Sequence, residues 1–317
     1  MKSKHLRKIL HDYWGVLGTL LAINLFFSFA SPYYFTPYNL INVLDHSAIT
    51  MILATGMVFV IATGGIDLSV GSTLGLTGVV TALLFKAGVP VFLALVLGLS
   101  IGGLIGAANG FIISKLRLQP FIVTLAMLSI VRGLALVLSG GQPVLGLPVI
   151  FVRVFSGRGV IRNSIFIGII VASLGAFAAN KTRYGVYVRS IGGNEDCAHI
   201  CGIKIVRMKV VVYCIQGLLA TLASFVFMSI MDAAEPIAGM QTEWLEAIAA
   251  PIIGGNRLSG GKASMPGTVI GVLILASIRS GLNIFGVQPW YQQLFIGMII
   301  IAAVVANTLG HKETQQV

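Results

Sequence analysis

Long stretches without a single charged side chain set the terms for this chain. Residues 13–44, 68–85, 87–114, 133–152, 163–180, 210–231 and 280–310 contain no Asp, Glu, Lys or Arg. A helix needs about 20 apolar residues to cross the hydrocarbon layer of a bilayer, and most of these runs are of that length. Composition agrees: 56% of the residues are hydrophobic and 10% are charged, where a soluble domain carries about 25% charged residues. A soluble core built from 317 residues could not hide that much apolar surface. The expected fold is an all-α polytopic membrane protein.

Spans are placed at 13–31, 44–64, 67–85, 89–113, 119–139, 163–180, 210–231, 245–256, 264–284 and 290–307, about ten helices, with the eighth too short to cross alone. With the start inside, 15 of the 21 Lys and Arg fall in cytoplasmic segments, as the positive-inside bias requires. Both termini are then cytoplasmic. Lys86, Arg153, Arg158 and Arg162 fall outside, and Arg132 and Arg279 fall within spans. The three arginines of 153–162 run against the bias and leave 140–162 open to being a re-entrant or surface-lying piece. The whole of 1–317 reads as one transmembrane domain, with 1–12 a cytoplasmic N-terminus, 181–209 a cytoplasmic loop and 308–317 a cytoplasmic tail. The first uncharged run is too long for a signal-peptide core and is expected to be a retained span.

The net charge of +11 does not point to nucleic acid, because the basic residues flank apolar runs instead of forming a stripe. Cys197, Cys201 and Cys214 form no Cys-x-x-Cys pair. The first two fall in the basic loop, where thiols stay reduced. Cys-x-His-x-Cys around His199 is poor geometry for one ion, so no metal site is expected.

Asp67 stands out in "TGGIDLSVGSTLGLTG" (63–78), a carboxylate in very apolar surroundings. The segment has a twin. "GGIDLSVG" (64–71) and "GGNRLSGG" (254–261) share Gly-Gly-x-x-Leu-Ser-x-Gly, and "NGFIISKLRLQPF" (109–121) is echoed by "NIFGVQPW" (283–290). A weak internal repeat with broken helices follows, and Gly-interrupted segments in matching halves point to a transporter pathway. Paired glycines loosen a helix by about 1 kcal/mol each relative to Ala, and backbone opened in a membrane must find partners in protein or a water-filled cavity. Ser69 and Ser259 offer hydroxyls for that purpose. Asp67 is expected to cap a restarting helix, to line or gate the path, or both. Its twin position is Arg257, and the two are expected to pair if the halves face each other. The path residues expected on these grounds are Asp67, Ser69, Asn109, Arg257, Ser259 and Asn283.

In the loop 181–209, Asn194 suits an N-cap, Glu195 the first turn and Gly202 the C′ position of a short helix. Such a helix on a basic loop suits docking into a groove of a cytoplasmic partner. "SIMDAAEPIAGMQTE" (229–243), on the outer side, carries Asp232, Glu235 and Glu243, which suit basic residues on an extracytoplasmic partner.

Taken together, "TGGIDLSVGS", "RYGVYVRSIGGNEDCAHICGI", "EAIAAPIIGGNRLSGGKASMPGTVIG" and "SGLNIFGVQPWYQQLFIGMIIIAAVVAN" resemble, in that order, the permease subunits of bacterial ribose-type ABC importers, within the wider sugar and branched-chain amino-acid permease family. The resemblance covers about 35–307. It implies about ten helices per subunit in the inner membrane and a second permease copy, identical or paired. An ATPase subunit that binds the ATP would lie below, and a periplasmic sugar-binding protein above. The permease itself would hold no cofactor. ATPase docking is implied for Gly193, Asn194, Glu195, His199 and Gly202. The family's docking loop usually places two alanines after the Glu, where this chain has Asp196 and Cys197; relatives also usually have Asp near 246 and Val near 251, where Glu246 and Pro251 stand. Pro251 lacks an N–H and is expected to kink the eighth span.

The implied function is import of a monosaccharide, ribose or a similar pentose, by alternating access. Galactofuranose, xylose and autoinducer-2 are alternative solutes on the same machinery. A membrane-embedded enzyme would want paired acids or metal-spaced histidines inside spans, and the five histidines are scattered. A secondary transporter usually wants more than one buried acid, and only Asp67 is expected inside a span.

Overall fold

The computed structural model describes residues 2–157 and 162–312. Arg158 and 313–317 of the expected tail lie outside the described residues. In chain order the elements are α1 (Lys2–Ala30), α2 (Pro37–Ala62), α3 (Val70–Lys86), α4 (Val91–Lys115), α5 (Pro120–Ser139), β1 (Val144–Leu145), α6 (Val149–Phe155), α7 (Asn163–Lys181), α8 (Arg183–Gly193), α9 (Glu195–Ile200), α10 (Ile205–Met231), β2 (Ala233–Ala234), α11 (Glu243–Ile253), α12 (Met265–Ile284) and α13 (Pro289–Lys312). The ten expected spans fall on α1 to α5, α7 and α10 to α13. Among the described residues, α1, α2, α4, α5, α7, α10 and α12 are long and apolar enough to cross a membrane; α3 is apolar but shorter.

Helix α2 is the central post. It is buried from Ser47 to Ala62 and packs against α7, α10, α11 and α12. Beside it α4 and α10 run antiparallel at very close range. Gly98, Gly102, Gly106 and Gly110 on α4 meet Phe225, Gly217, Tyr213 and Val210 on α10, and a Cβ at Gly110 would lie 2.7 Å from the Val210 Cα. Small residues at such a seam let membrane helices gain dispersion contact where no hydrophobic effect drives them together. Helix starts follow ordinary capping chemistry: Thr36 accepts from Asn39 N–H ahead of α2, with Pro37 first in the helix.

The segment after α5 is not a bare loop. Strand β1 pairs antiparallel with β2, Val144 opposite Ala234 and Leu145 opposite Ala233. Helix α6 turns Phe151 and Phe155 onto Phe85 and Phe225, with ring centroids 5.0–6.1 Å apart. The acidic segment 232–242 also departs from a solvated loop. Asp232 takes a left-handed conformation (φ +53), Ala233, Ala234 and Ala238 are buried, and the backbone of Gly239 lies against Gly71 of α3. The chain thus dips back among the helices before α11, an 11-residue half-length helix. Pro251 stands inside the last turn of α11, which continues to Ile253 and ends at the Gly254–Gly255 turn; its missing N–H leaves the Ala247 carbonyl without the usual helical donor.

The molecule has two ends. One carries the connections 31–36, 140–157, 232–242 and 285–288; the other carries 63–69, 116–119, 182–204 and 254–264.

Candidate functional site: a polar cavity and a glycine junction

Four polar side chains recur along one face of α2: Asn39, Asn42, His46 and Thr50, three or four residues apart. That spacing lines them up on a helix. Facing them on α12 are Arg279, Ser280 and Asn283, again on one face. Between the two stripes lies a cavity of about 440 Å³. A second lobe of about 470 Å³ adjoins it, reaching Gln241 to Glu243 and the start of α13 at Trp290 and Gln292. The lobes share His46, Thr50, Arg279 and Asn283. This is the cavity end of the molecule.

An ion pair forms the floor. Glu246 of α11 meets Arg279 at 2.5 Å. Thr50 donates to the other Glu246 oxygen at 3.0 Å, and Arg279 also donates to the Thr242 hydroxyl. The carboxylate is buried and the guanidinium mostly so. Each charge therefore has the close, hydrogen-bonded partner that a buried ion needs. A second pair closes one flank, where Asp45, fully buried, accepts from Arg162 and Ser164. Both acids contradict the expectation that Asp67 alone is buried: Asp45, Asp67 and Glu246 all are. The signal was present, since an arginine in the 264–284 span needed an acidic partner in another helix.

The other end is sealed by backbone. The first glycine pair follows a full-length helix instead of interrupting one: α2 ends at Ala62, and Gly64 (φ +77) turns the chain. The second break begins at Gly254, and Gly255 (φ +82) takes the turn. Equivalent capping bonds run Gly65 N–H to Val60 and Asn256 N–H to Pro251. The structural register is therefore one residue off the sequence alignment, because the left-handed glycine is the first of one pair and the second of the other. Nor is the repeat one symmetry operation. The two glycine breaks lie at the same end, whereas the echoed connections α4–α5 and α12–α13 lie at opposite ends, although each has a positive φ (Arg117, Gly286) three residues before a helix-starting proline.

The breaks touch each other and the end of α8. Gly261 N–H donates to the Ala62 carbonyl at 3.0 Å. Gly192 is wedged between Ala62 and Gly261. At Gly260 (φ +88) a Cβ would stand 2.9 Å from both the Gly192 Cα and the Gly64 nitrogen. This three-way contact is the glycine junction. Helix α8 also leans Tyr184 on Phe59 of α2, ring centroids 5.1 Å apart. Burial pushes the Tyr184 phenol well above its usual range, and its hydroxyl has no partner among the described residues.

The expected path residues divide. Asp67, Ser69 and Asn109 come together as a buried node: Asp67 accepts from the Ser69 N–H at 2.9 Å and hydroxyl at 2.6 Å, and Asn109 donates to that hydroxyl at 2.8 Å. Thr124 and Tyr213 hold the neighbouring Ile66 carbonyl. Asp67 thus organises the restart into α3, as a cap does. Asn283 lines the cavity at the opposite end. Arg257 and Ser259 are exposed at the tip of the second break. The expected Asp67–Arg257 pair is absent among the described residues, because Asp67 is closed in by Ser69. At the second break Asn256 organises the restart instead, accepting from Ser264 N–H at 2.6 Å.

The short helix expected after Asn194 forms. Asn194 caps α9 through the Cys197 N–H at 2.9 Å, and Gly202 (φ +84) ends it. Ala198 packs on Ile191 and Ile205, leaving Gly193, Asn194, Glu195, His199 and Gly202 exposed. Glu195 pairs with Lys209 at 2.6 Å. The sequence reading put a basic loop ahead of this helix; α8 lies there, started by Thr182, which accepts from Gly185 N–H.

A buried charge pair thus lies under a polar cavity and a short helix projects at the far end; comparison with known proteins gives the class. The model of the branched-chain amino acid transport system permease component matches residues 39–304. The chain belongs to this permease family. The permease is similar to the ribose import permease protein RbsC of Bacillus subtilis (strain 168), at 39% identity over 96% of this chain and 95% of that protein. It is similar to the D-allose transport system permease protein AlsC of Escherichia coli (strain K12), at 39% identity over 95% and 94%. The L-arabinose ABC transporter permease protein AraH of Azospirillum brasilense is 33% identical over 92% and 86%. No solved structure matches the permease. It is a multi-pass inner-membrane protein, a transporter subunit and not a catalytic one.

Proposed function

We propose that the permease forms the membrane path of an ABC importer for an uncharged monosaccharide, ribose or a close relative, moving it from periplasm to cytoplasm. The observation that carries this reading is the chemistry of the cavity. Its lining mixes amide, hydroxyl, imidazole, aromatic and aliphatic groups; Arg162 is paired with Asp45 and Arg279 with Glu246, while Glu243 accepts only from the Thr242 N–H among the described residues. A neutral polyol gains hydrogen bonds there without leaving an ion stranded. An anionic solute would find both arginines already engaged, and buried polar groups left unpaired are what make a site reject a solute. The relatives named for ribose, allose and arabinose agree with that class.

In this reading the cavity end faces the periplasm and a sugar-binding protein. The junction end faces the cytoplasm, together with both termini and most of the Lys and Arg. About ten helices form one transmembrane domain per subunit, and a second permease copy completes the pore. The ATPase engages Gly193, Asn194, Glu195, His199 and Gly202, binds and hydrolyses the ATP, and the permease needs no cofactor. Asp67, Ser69, Asn109, Arg257 and Ser259 belong to the cytoplasmic gate and Asn283 to the periplasmic mouth. From Thr50 to Ala62 the path is closed by 13 residues of buried helix, about 18 Å end to end at 1.5 Å rise per residue. Inward opening requires the Glu246–Arg279 floor and the glycine junction to part. Motion of α8 reaches both breaks directly through Gly192.

Uptake of labelled D-ribose, D-allose and L-arabinose into proteoliposomes tests the reading, with the permease reconstituted beside its ATPase and binding protein. Uptake that needs ATP and all partners is expected. Glu195→Lys is expected to lose ATPase association. Uptake without nucleotide or partners would refute the importer reading in favour of secondary transport.

A further inference from the structure

The polar groups around the cavity fall into two sets. One set is committed to the wall. Asn39 donates to the Tyr34 carbonyl and accepts from Ser280, each at 2.8 Å. Gln292 donates to Asn283 Oδ1 and to the Val287 carbonyl, each at 2.7 Å. Thr50, Glu246 and Arg279 bond one another. These contacts hold α2, α11, α12 and α13 in place around the space.

The other set has capacity left. Asn42 and His46 line the cavity from successive turns of α2 and make no hydrogen bond among the described residues. Asn283 uses only its oxygen, leaving both N–H groups of its amide. It faces them from α12, and His46 and Asn283 border both lobes. Either orientation of the Asn42 amide presents a donor and an acceptor, and a neutral imidazole also presents one of each. Three rigidly based groups with mixed donor and acceptor character, across a space of several hundred Å³, match adjacent sugar hydroxyls, which are themselves donors and acceptors. Tyr38 in the lining of one lobe and Trp290 in that of the other add flat apolar faces for the carbon side of a sugar ring. Pockets that bind small molecules likewise fix a ligand with a few placed polar groups set beside apolar surface.

We propose that Asn42, His46 and Asn283 form a hydroxyl-recognition site for an uncharged monosaccharide within the permease itself. The permease then selects among sugars, and the choice does not rest with a binding protein alone. This rests on the importer reading above and names the residues that carry its selectivity.

The test uses the full-length permease in nanodiscs without partners, with saturation-transfer NMR and D-ribose as probe, and D-ribose 5-phosphate for comparison. Ribose signals that saturate in the millimolar range are expected, with at least tenfold weaker binding of the phosphate ester. Asn42→Ala and His46→Ala are each expected to weaken ribose binding at least fivefold, with an unchanged thermal midpoint reporting an intact fold. His46→Gln, which keeps a donor and an acceptor, is expected to recover part of the loss. In the complete importer, Asn42→Ala and Asn283→Ala are expected to raise the KM for ribose and shift the ribose-to-allose ratio. Absence of ribose signals on the wild-type permease, equal binding of the ester, or folded variants with unchanged affinity would overturn this site. If the complete importer nevertheless takes up sugar, the importer reading survives and only the site falls; if it takes up none, the importer reading itself fails.

Discussion

The cavity end and the glycine junction are made of opposite materials. At the cavity end, long side chains from α2, α11, α12 and α13 reach across a gap and meet through hydrogen bonds and an ion pair. At the junction, three stretches of backbone touch with nothing between them. Side-chain contacts can break singly and leave water or a solute in their place. Backbone contact at glycine has no such graded response: the segments either fit or part together. That difference suits a solute-facing site to the first region and a stiff mechanical link to the second.

The largest effect is expected from breaking the cavity floor. Glu246→Ala strands Arg279, and losing one member of a buried pair typically costs about 3–5 kcal/mol; because Arg279 keeps some exposure, the lower end applies. Thermal unfolding in detergent measures it, and Glu246→Gln, whose amide oxygen can still accept from Arg279 while its NH2 donates to a rotated Thr50 hydroxyl, is expected to lose less. Next comes the junction. Gly260→Ala combines a left-handed backbone with overlap against Gly192 and Gly64, together about 2–4 kcal/mol. Gly193→Ala, one residue beyond the contact and with open space around it, is expected to stay within about 0.5 kcal/mol of wild type. Equal losses at 193 and 260 would mean that α8 end as a whole, and not the contact, matters.

Smaller effects separate capping from charge at the buried node. Asp67→Ala removes the acceptor for Ser69 and is expected to cost about 1–2 kcal/mol, whereas Asp67→Asn keeps a carbonyl oxygen there and is expected to retain most of the stability. If Asn were as damaging as Ala in the same unfolding assay, the carboxylate charge would be essential and the capping account wrong. Smallest of all, Tyr184→Phe removes an unpartnered buried hydroxyl and is expected to be neutral or to stabilise by up to about 1 kcal/mol; a loss above that would reveal a polar link between α8 and α2.

Much of this was legible. The ten spans placed on the sequence all fall on helices, seven of them long and apolar enough to cross a membrane, because membrane insertion is decided by local composition. Asn194, Glu195 and Gly202 marked α9 to the residue, because caps are local chemistry. What failed was nonlocal. Asp45 and Arg162 lie 117 positions apart, and Glu246 and Arg279 lie 33 apart; only packing tells which acid meets which base. The Asp67–Arg257 pairing came from aligning two motifs, and a one-residue change in which glycine turns the chain moved the side chains out of register. The amide and imidazole row 39, 42, 46 and 50 was readable, as polar residues at helical spacing in an otherwise apolar span. Its neutrality made it less conspicuous than Asp67.

Impermeant thiol labelling of single-cysteine variants in intact cells tests most directly the claim that the two ends face opposite sides of a closed path. In a background with Cys197, Cys201 and Cys214 replaced by Ser, Asn42→Cys is expected to react from outside. His199→Cys is expected to react only after the membrane is opened, and Thr55→Cys, on the buried stretch of α2, to stay protected in both. Labelling of position 199 from outside, or of 42 only from within, would contradict the account.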